Sequence, residues 1–471
     1  MNMRSTTSVG QRAHWFVLVV SLAATGCSAA AGAPGAPGPG PSSSGGPSDG
    51  EPEAGAGADG GITADGGLCI TAASCGPTCG ACAGSTNGNG TAVCEAKTHT
   101  CAVDCVAGYI TDGAGGCAKL LSGAPALAAG PHHTCALLAG GNVKCWGSNN
   151  VGQVGDGTML ERDTPVAVQT SHVVAIAAGD AHTCTLLDTG TMQCWGYNDA
   201  GQLGTSISAY TLGPAAVDGL DHVTAIAVGG SHTCALRSTG AVKCWGSNAA
   251  GQLGNGSAST VTMHALVDVQ GLSSGVVAIA AGGARSCALM ATGTVKCWGS
   301  GYPGPENHAP VDVTGLPPGV RSIVSAGGPT CALLQSGGVK CWGGSNFAGQ
   351  LGNQSTTPSA APVDVQSLSA SVTSLALGGG HSCALLATGA VKCWGANDSG
   401  QLGNNAIVDS QLAAVDVQGL SSGVTAIAAN FQHTCALLTN GQARCWGSND
   451  YGVLGSGTAN SKVPVAVVGI P

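Results

Sequence analysis

From Ala126 to the C-terminus, short apolar runs alternate with glycine-rich breaks in a four-part order that returns seven times. A small-residue run opens each unit, as at Val174–Gly179 and Val424–Ala429. A segment such as His133–Leu137 comes next, then a Gly-containing turn and Val143–Gly147, and the unit ends on Pro-Val-Asp-Val, as at Pro310–Val313 and Pro362–Val365. Runs this short, bounded by Gly, Asn, Asp and Ser, have the length of strands rather than helices. The steps between successive Cys-Trp-Gly triplets are 49, 50, 53, 44, 52 and 52 residues. Four strands per unit at that period predict an all-β, seven-bladed β-propeller over residues 124–471. Ala and Gly dominate the first strand, which suits a crowded place near the central axis.

Cysteines fix the register of one hairpin in every unit. Cys145, Cys194, Cys244, Cys297, Cys341, Cys393 and Cys445 open the triplets. Ten positions before each stand Cys135, Cys184, Cys234, Cys287, Cys331, Cys383 and Cys435. If Thr134–Leu138 and Val143–Trp146 pair as antiparallel strands, Leu138 facing Asn142 also sets Cys135 opposite Cys145, within reach of a disulfide. The other reading is fourteen buried thiols. Identical spacing in all seven copies of an exported chain favours seven hairpin disulfides.

Charge suggests how neighbouring units meet. Lys144, Gln193, Lys243, Lys296, Lys340, Lys392 and Arg444 precede the triplets, and the last strands carry Ala167, Asp218, Asp268, Asp312, Asp364, Asp416 and Ala466. Acid and base match better between successive units than within one. The expectation is therefore that Asp268 faces Lys296 rather than Lys243. Val463–Val468 would then pack on the first blade and close the circle.

The N-terminal segment bears on compartment. Arg4 and Arg12 precede an apolar run from Trp15 to Val20 that continues through Leu22, Ala23 and Ala24. It is too short to span a bilayer and has the layout of a secretory signal over residues 1–26. Ala24-Thr25-Gly26-Cys27 resembles the lipobox of bacterial lipoproteins, with Ala24 where that family usually carries Leu. The resemblance implies a diacylated Cys27 and, with Ser28 next, the outer membrane; the alternative is an ordinary signal peptide cut nearby. Setting Cys27 aside leaves an even 22 Cys. Residues 27–66, nearly all Ala, Gly, Pro, Ser and acids, read as a disordered tether with a reach of roughly 35 Å. Residues 67–119 hold eight Cys and little apolar sequence: Cys69, Cys75, Cys79, Cys82, Cys94, Cys101, Cys105 and Cys117. Cys79 and Cys82 would suit half a zinc site, but structural disulfides are the better reading outside the cell. Their connectivity stays open, and the module reads as a stalk.

Composition narrows the function classes. With 79 Gly, 3% aromatic and 8% charged residues, the propeller cannot rest on large core side chains. The net charge of −9 and the lack of any basic run argue against nucleic acid, whose phosphates need clustered Lys and Arg. No cofactor motif is present.

Gly-x-x-His-Thr-Cys-Ala-Leu, then Trp-Gly, then Gly-Gln-Leu-Gly (Gly201–Gly204, Gly251–Gly254, Gly349–Gly352, Gly400–Gly403) resembles the regulator of chromosome condensation repeat family over about residues 124–471. The resemblance implies a seven-bladed propeller. Nuclear members act as nucleotide-exchange factors on a small GTPase and bind chromatin, activities that export and acidity disfavour here. The paired Cys suit an exported bacterial branch.

Several groups of residues are candidate sites. His133, His182, His232, His381 and His433 could ring a metal, but a residue repeated in most blades is more often a structural hydrogen-bond partner. The basic residues are read as structural ion pairs, and the seven triplet Trp as filling between blades. Irregularity is the better guide to function. Unit four has Arg285 in place of His, lacks Gly-Gln-Leu-Gly, and carries Tyr302, Glu306 and His308; unit five reads Gly327-Gly328-Pro329-Thr330. These residues mark either a partner-facing patch or neutral divergence. The reading that results is a monomeric, lipid-anchored scaffold for a protein or glycan, touching the membrane only through its anchor. An extracellular hydrolase or lyase would instead need Arg285, Glu306 and His308 around one deep pocket. A purely structural surface protein is the third possibility.

Overall fold

The small-residue strand that opens each unit lies innermost, and this fixes the architecture. The computed structural model describes residues 124–471 except 207–208, 302–303, 369–370, 407 and 471. It also describes the backbone strands Gly90–Glu95, Thr100–Cys105, Tyr109–Thr111 and Cys117–Lys119. The expected signal, tether and Cys27, as well as Tyr302, lie outside the described residues. In the cysteine module the four strands form two hairpins, and the first sets Cys94 opposite Cys101.

Residues 126–466 form seven four-stranded antiparallel sheets, each a meander in chain order. Blade one comprises Ala126–Ala129, His133–Leu137, Val143–Gly147 and Arg162–Ala167. Blade four comprises Val276–Gly282, Arg285–Met290, Val295–Gly299 and Asn307–Asp312, and blade seven Val424–Asn430, His433–Leu438, Ala443–Gly447 and Ser461–Ala466. Inner strands touch one another around the axis, that of blade seven lying against that of blade one. Ala and Gly there let seven backbones converge.

The cysteine register is as the spacing required. Each pair is directly opposed across the second and third strands, with sulfurs at bonding distance and Cα atoms 4.1 Å apart in blade one. The disulfides are buried and share the gap between blades with the next blade's Trp: Cys234 and Cys244 of blade three, for example, cluster with Trp298 of blade four. The triplet Gly is also required. Gly147 has φ +109°, and a Cβ there would stand 2.5 Å from the His132 carbonyl oxygen.

The charge-based pairing is overturned. Lys243 bonds Asp268 of its own blade at 2.7 Å, and Lys296–Asp312, Lys340–Asp364 and Lys392–Asp416 do the same at 2.6, 2.8 and 2.7 Å. Third and outer strands of one blade are hydrogen-bonded neighbours, so the register sets Lys243 opposite Asp268. In blade two Gln193 faces Ala216, two residues before Asp218, so Asp218 does not hold the ladder position that Asp268, Asp312, Asp364 and Asp416 hold.

The C-terminal expectation also needs correction. Ser461–Ala466 is the outer strand of blade seven, paired to Ala443–Gly447, rather than a strand laid on blade one. Of this C-terminal segment, the residues after Ala466 reach across the seam. Val467 packs with Leu127 and Trp146, and Lys144 Nζ donates to the Gly469 carbonyl at 2.8 Å.

Candidate functional site

One end of the ring collects the Gly-x-x-His turns, which join inner to second strands, and the Gly-Gln-Leu-Gly loops, which join third to outer strands. The meander places both on the same face. There each blade is stapled to the next. His133 Nε2 lies 2.9 Å from Thr183 Oγ1 of blade two, whose hydroxyl donates to the Gln153 carbonyl of blade one at 2.9 Å. Trp195 Nε1 donates to that same carbonyl at 3.0 Å. Since Thr183 gives its proton to the carbonyl, His133 must donate from Nε2 and keep Nδ1 bare. The arrangement recurs with His182–Thr233–Gln202, His232–Ser286–Gln252, His381–Thr434–Gln401 and His433–Thr134–Val453. Burial holds these imidazoles neutral, lowering His133, His182 and His433 to about 3 and His232 and His381 to about 4. The repeat His are thus interblade bonding partners.

Two adjacent seams depart from this pattern. Between blades five and six Ser382 and Trp394 still donate to the Gln350 carbonyl, at 2.9 and 3.0 Å, but Pro329 stands where the His would be. Between blades four and five the loop itself is missing. Seven residues separate the paired Gly299 and Asn307, against sixteen between the equivalent Gly246 and Met263. Arg285 takes the His position, its Nε donating to the Ser300 carbonyl at 2.8 Å and its Nη1 to Thr330 Oγ1 at 3.3 Å. Burial lowers its guanidinium to about 10, so it stays cationic at neutral pH. Thr330 bonds Ser325 Oγ at 3.0 Å in place of a loop carbonyl.

The shortened loop leaves a cleft of about 210 Å³ walled by Arg285, Cys297, Trp298, Val313 and Trp342. Of the four residues singled out by sequence, Arg285 lines it. Glu306 and His308 do not, although Pro305 and Asn307 do. His308 lies 3.9 Å from Glu306 and its carbonyl accepts from Gly256 N of blade three, so this pair sits at the opposite seam from Arg285. The pocket a hydrolase would need is not assembled from these three residues. Among the described residues no three His, Cys, Asp or Glu side chains gather as metal ligands.

The same face carries an aromatic arc that sequence reasoning missed. Phe347 in the blade-five loop is 71% exposed and Tyr451 in the blade-seven loop 48%. Between them, a Cβ on Gly380 of the blade-six turn would stand 3.8 Å from Phe347 Cζ, and one on Gly379 3.2 Å from Phe431 Cδ2. His132 meets Phe431 and Tyr451 edge-on, with centroids 6.5 and 4.9 Å apart. Only three Phe occur in the chain, and two fall in these loops, a signal that was available. In the blade-two turn, Asp180 Oδ1 is shielded without a hydrogen-bond partner, and burial raises its carboxyl to about 8.

Comparison with known proteins agrees with this geometry. Two models described as Regulator of chromosome condensation (RCC1) repeat match the chain. One matches residues 126–153, 173–202, 223–252, 276–302, 372–401 and 424–453, the other 140–186, 190–236 and 336–385, together more than half the sequence. Residues 303–335, around the two irregular seams, fall outside every match. The probable E3 ubiquitin-protein ligase HERC3 of Homo sapiens is 35% identical over 122 residues, 26% of this chain and 12% of that protein. The ultraviolet-B receptor UVR8 of Arabidopsis thaliana is 30% identical over 117 residues, 24% of this chain and 26% of that protein. The chain therefore corresponds to a minor part of these relatives' length. Among solved structures, human WBSCR16 aligns with a TM-score of 0.63 at 22% identity, covering 69% of this chain and 94% of that one. Prp20p of Saccharomyces cerevisiae, whose structure was described with its binding to Gsp1p and histones, gives 0.61 at 22%, covering 73% and 87%. These likenesses show the fold. On its repeats and its architecture, the chain belongs to the regulator of chromosome condensation (RCC1) repeat family.

Proposed function

We propose that this chain is an exported, lipid-anchored propeller that binds a partner protein through the face carrying its Gly-x-x-His turns. The arc of Phe347, Phe431, His132 and Tyr451 carries the reading. Exposed aromatics are scarce in this chain, and clustered aromatics supply most of the energy at protein interfaces. Residues 1–26 would direct export, Cys27 would take the lipid, residues 27–66 would hold the ring off the membrane, and 67–119 would serve as the stalk. Buried hairpin disulfides suit an oxidising compartment. Arg285 at one seam of blade four, and Glu306 with His308 at the other, would add partner contacts beside this face. Prp20p, described with its protein-binding properties, makes protein binding by such a ring a natural model. A glycan would stack on the same aromatics and is the second occupant to test.

The test is capture from cell-surface extract with the full chain and with a Phe347→Ala, Phe431→Ala, Tyr451→Ala variant. A protein retained by the parent and lost from the variant supports the reading. Equal retention by both, or retention of polysaccharide alone, overturns it.

A further inference from the structure

We infer that the cleft between blades four and five receives a peptide turn of the partner protein, which inserts one apolar side chain and presents one main-chain carbonyl. This deepens the scaffold reading and rests on it. The occupant's chemistry can be read from the other six seams. There the loop of the preceding blade supplies both features itself. A carbonyl accepts from the next blade's Trp and Thr or Ser, and the following residue is driven into the gap: Val154, Leu203, Leu253, Leu351, Leu402 or Leu454, each fully buried. The approach is close. A Cβ on Gly204, which ends one such loop, would stand 2.7 Å from Trp245 Nε1.

Blade four has the socket without the plug. The loop is cut to seven residues, of which Ser300, Gly301, Gly304 and Pro305 border the cleft with no Leu among them, and the cleft walls at Cys297, Trp298, Val313 and Trp342 are those the missing Leu would cover. The Trp342 indole N–H has no acceptor among the described residues. An indole nitrogen only donates, so whatever fills the cleft must bring an oxygen. Size and charge choose among oxygen ligands. A cleft of about 210 Å³ falls below the ~300–1,000 Å³ typical of small-molecule sites and suits a single residue. Arg285 donates to Ser300 and Thr330, and at the other six seams the oxygen that meets the indole N–H is a neutral main-chain carbonyl, which is the acceptor the socket is shaped for.

The probe is a disulfide-cyclised peptide carrying the blade-three loop sequence Asn-Ala-Ala-Gly-Gln-Leu-Gly-Asn, titrated into the full chain with the Trp342 indole N–H monitored by NMR. A second variant grafts that loop in place of residues 300–306, filling the socket in cis. Expected results are saturable binding with a downfield Trp342 signal and at least tenfold weaker binding to Trp342→Phe. The graft should not bind the peptide, and a peptide with Ser for Leu should be inactive. No binding to the parent, or equal binding to the graft, overturns the inference. Surface capture separates the two readings. If the graft keeps the partner that the aromatic variant loses, the inference fails and the scaffold stands; if all variants keep it, both fail.

Discussion

Trp195 of blade two donates its indole N–H to the Gln153 carbonyl of blade one at 3.0 Å, and this bond recurs at every seam that retains the loop. Trp342 fills the equivalent place with no such carbonyl before it. Phe substitution removes similar volume at both sites but a hydrogen bond only at the first. Trp195→Phe should therefore destabilise by about 1 kcal/mol more than Trp342→Phe, read as a difference in urea midpoint at equal m-value.

The ring, blade count and cysteine register were legible because each is written seven times. An index relation within one hairpin needs no knowledge of the rest of the molecule, so spacing alone set Cys135 opposite Cys145. Contacts between units were not legible from charge. Lys243 and Asp268 are local ladder partners, and their sign pattern carries no information about neighbouring blades. Asp218 lies two residues past the ladder position its counterparts occupy, and counting it with them favoured the wrong stagger. The staples escaped notice because the acceptor is the Gln main-chain carbonyl, not the repeated side chain. The aromatic arc brings together residues from blades five, seven and one, distant in sequence and at unlike repeat positions, so no periodicity marks it.

Those Lys–Asp pairs should contribute little. Each Asp is largely exposed, and exposed ion pairs are worth about 0–1 kcal/mol. Lys243→Met should change the urea midpoint by no more than about 0.5 kcal/mol in equivalent stability, and the difference should vanish in 1 M salt.

The missing loop leaves one disulfide less protected. Cys297 is 9% exposed, whereas Cys244 and Cys393 are fully buried. Thiol–disulfide exchange requires a thiolate to reach a sulfur. Limited reduction, then alkylation and peptide mapping, should therefore label Cys287 and Cys297 before any other propeller pair, and the loop graft should abolish that order.

Stability should peak near pH 6.5, from two opposing sets of groups. The five repeat His have folded pKa values of about 3 or 4, below the unfolded 6.5, so their contribution is complete above pH 6.5 and is lost as pH falls. At 1.36 kcal/mol per unit, pH 5 costs roughly 2 kcal/mol per His, and five together rival the whole stability of an ordinary domain. Asp180 works the other way. Its folded pKa of about 8 lies above the unfolded 3.8, so its contribution is complete below pH 3.8 and is lost as pH rises to 8. Below pH 6.5 five histidines outweigh one aspartate; between 6.5 and 8 the aspartate acts alone. Thermal melts should show a steep acid limb and a shallow alkaline one. Asp180→Asn should remove only the alkaline limb, raising Tm at pH 8 and leaving it nearly unchanged at pH 4. An acid limb that survives unchanged when His381 and His433 are replaced by Gln would remove the staples as its cause.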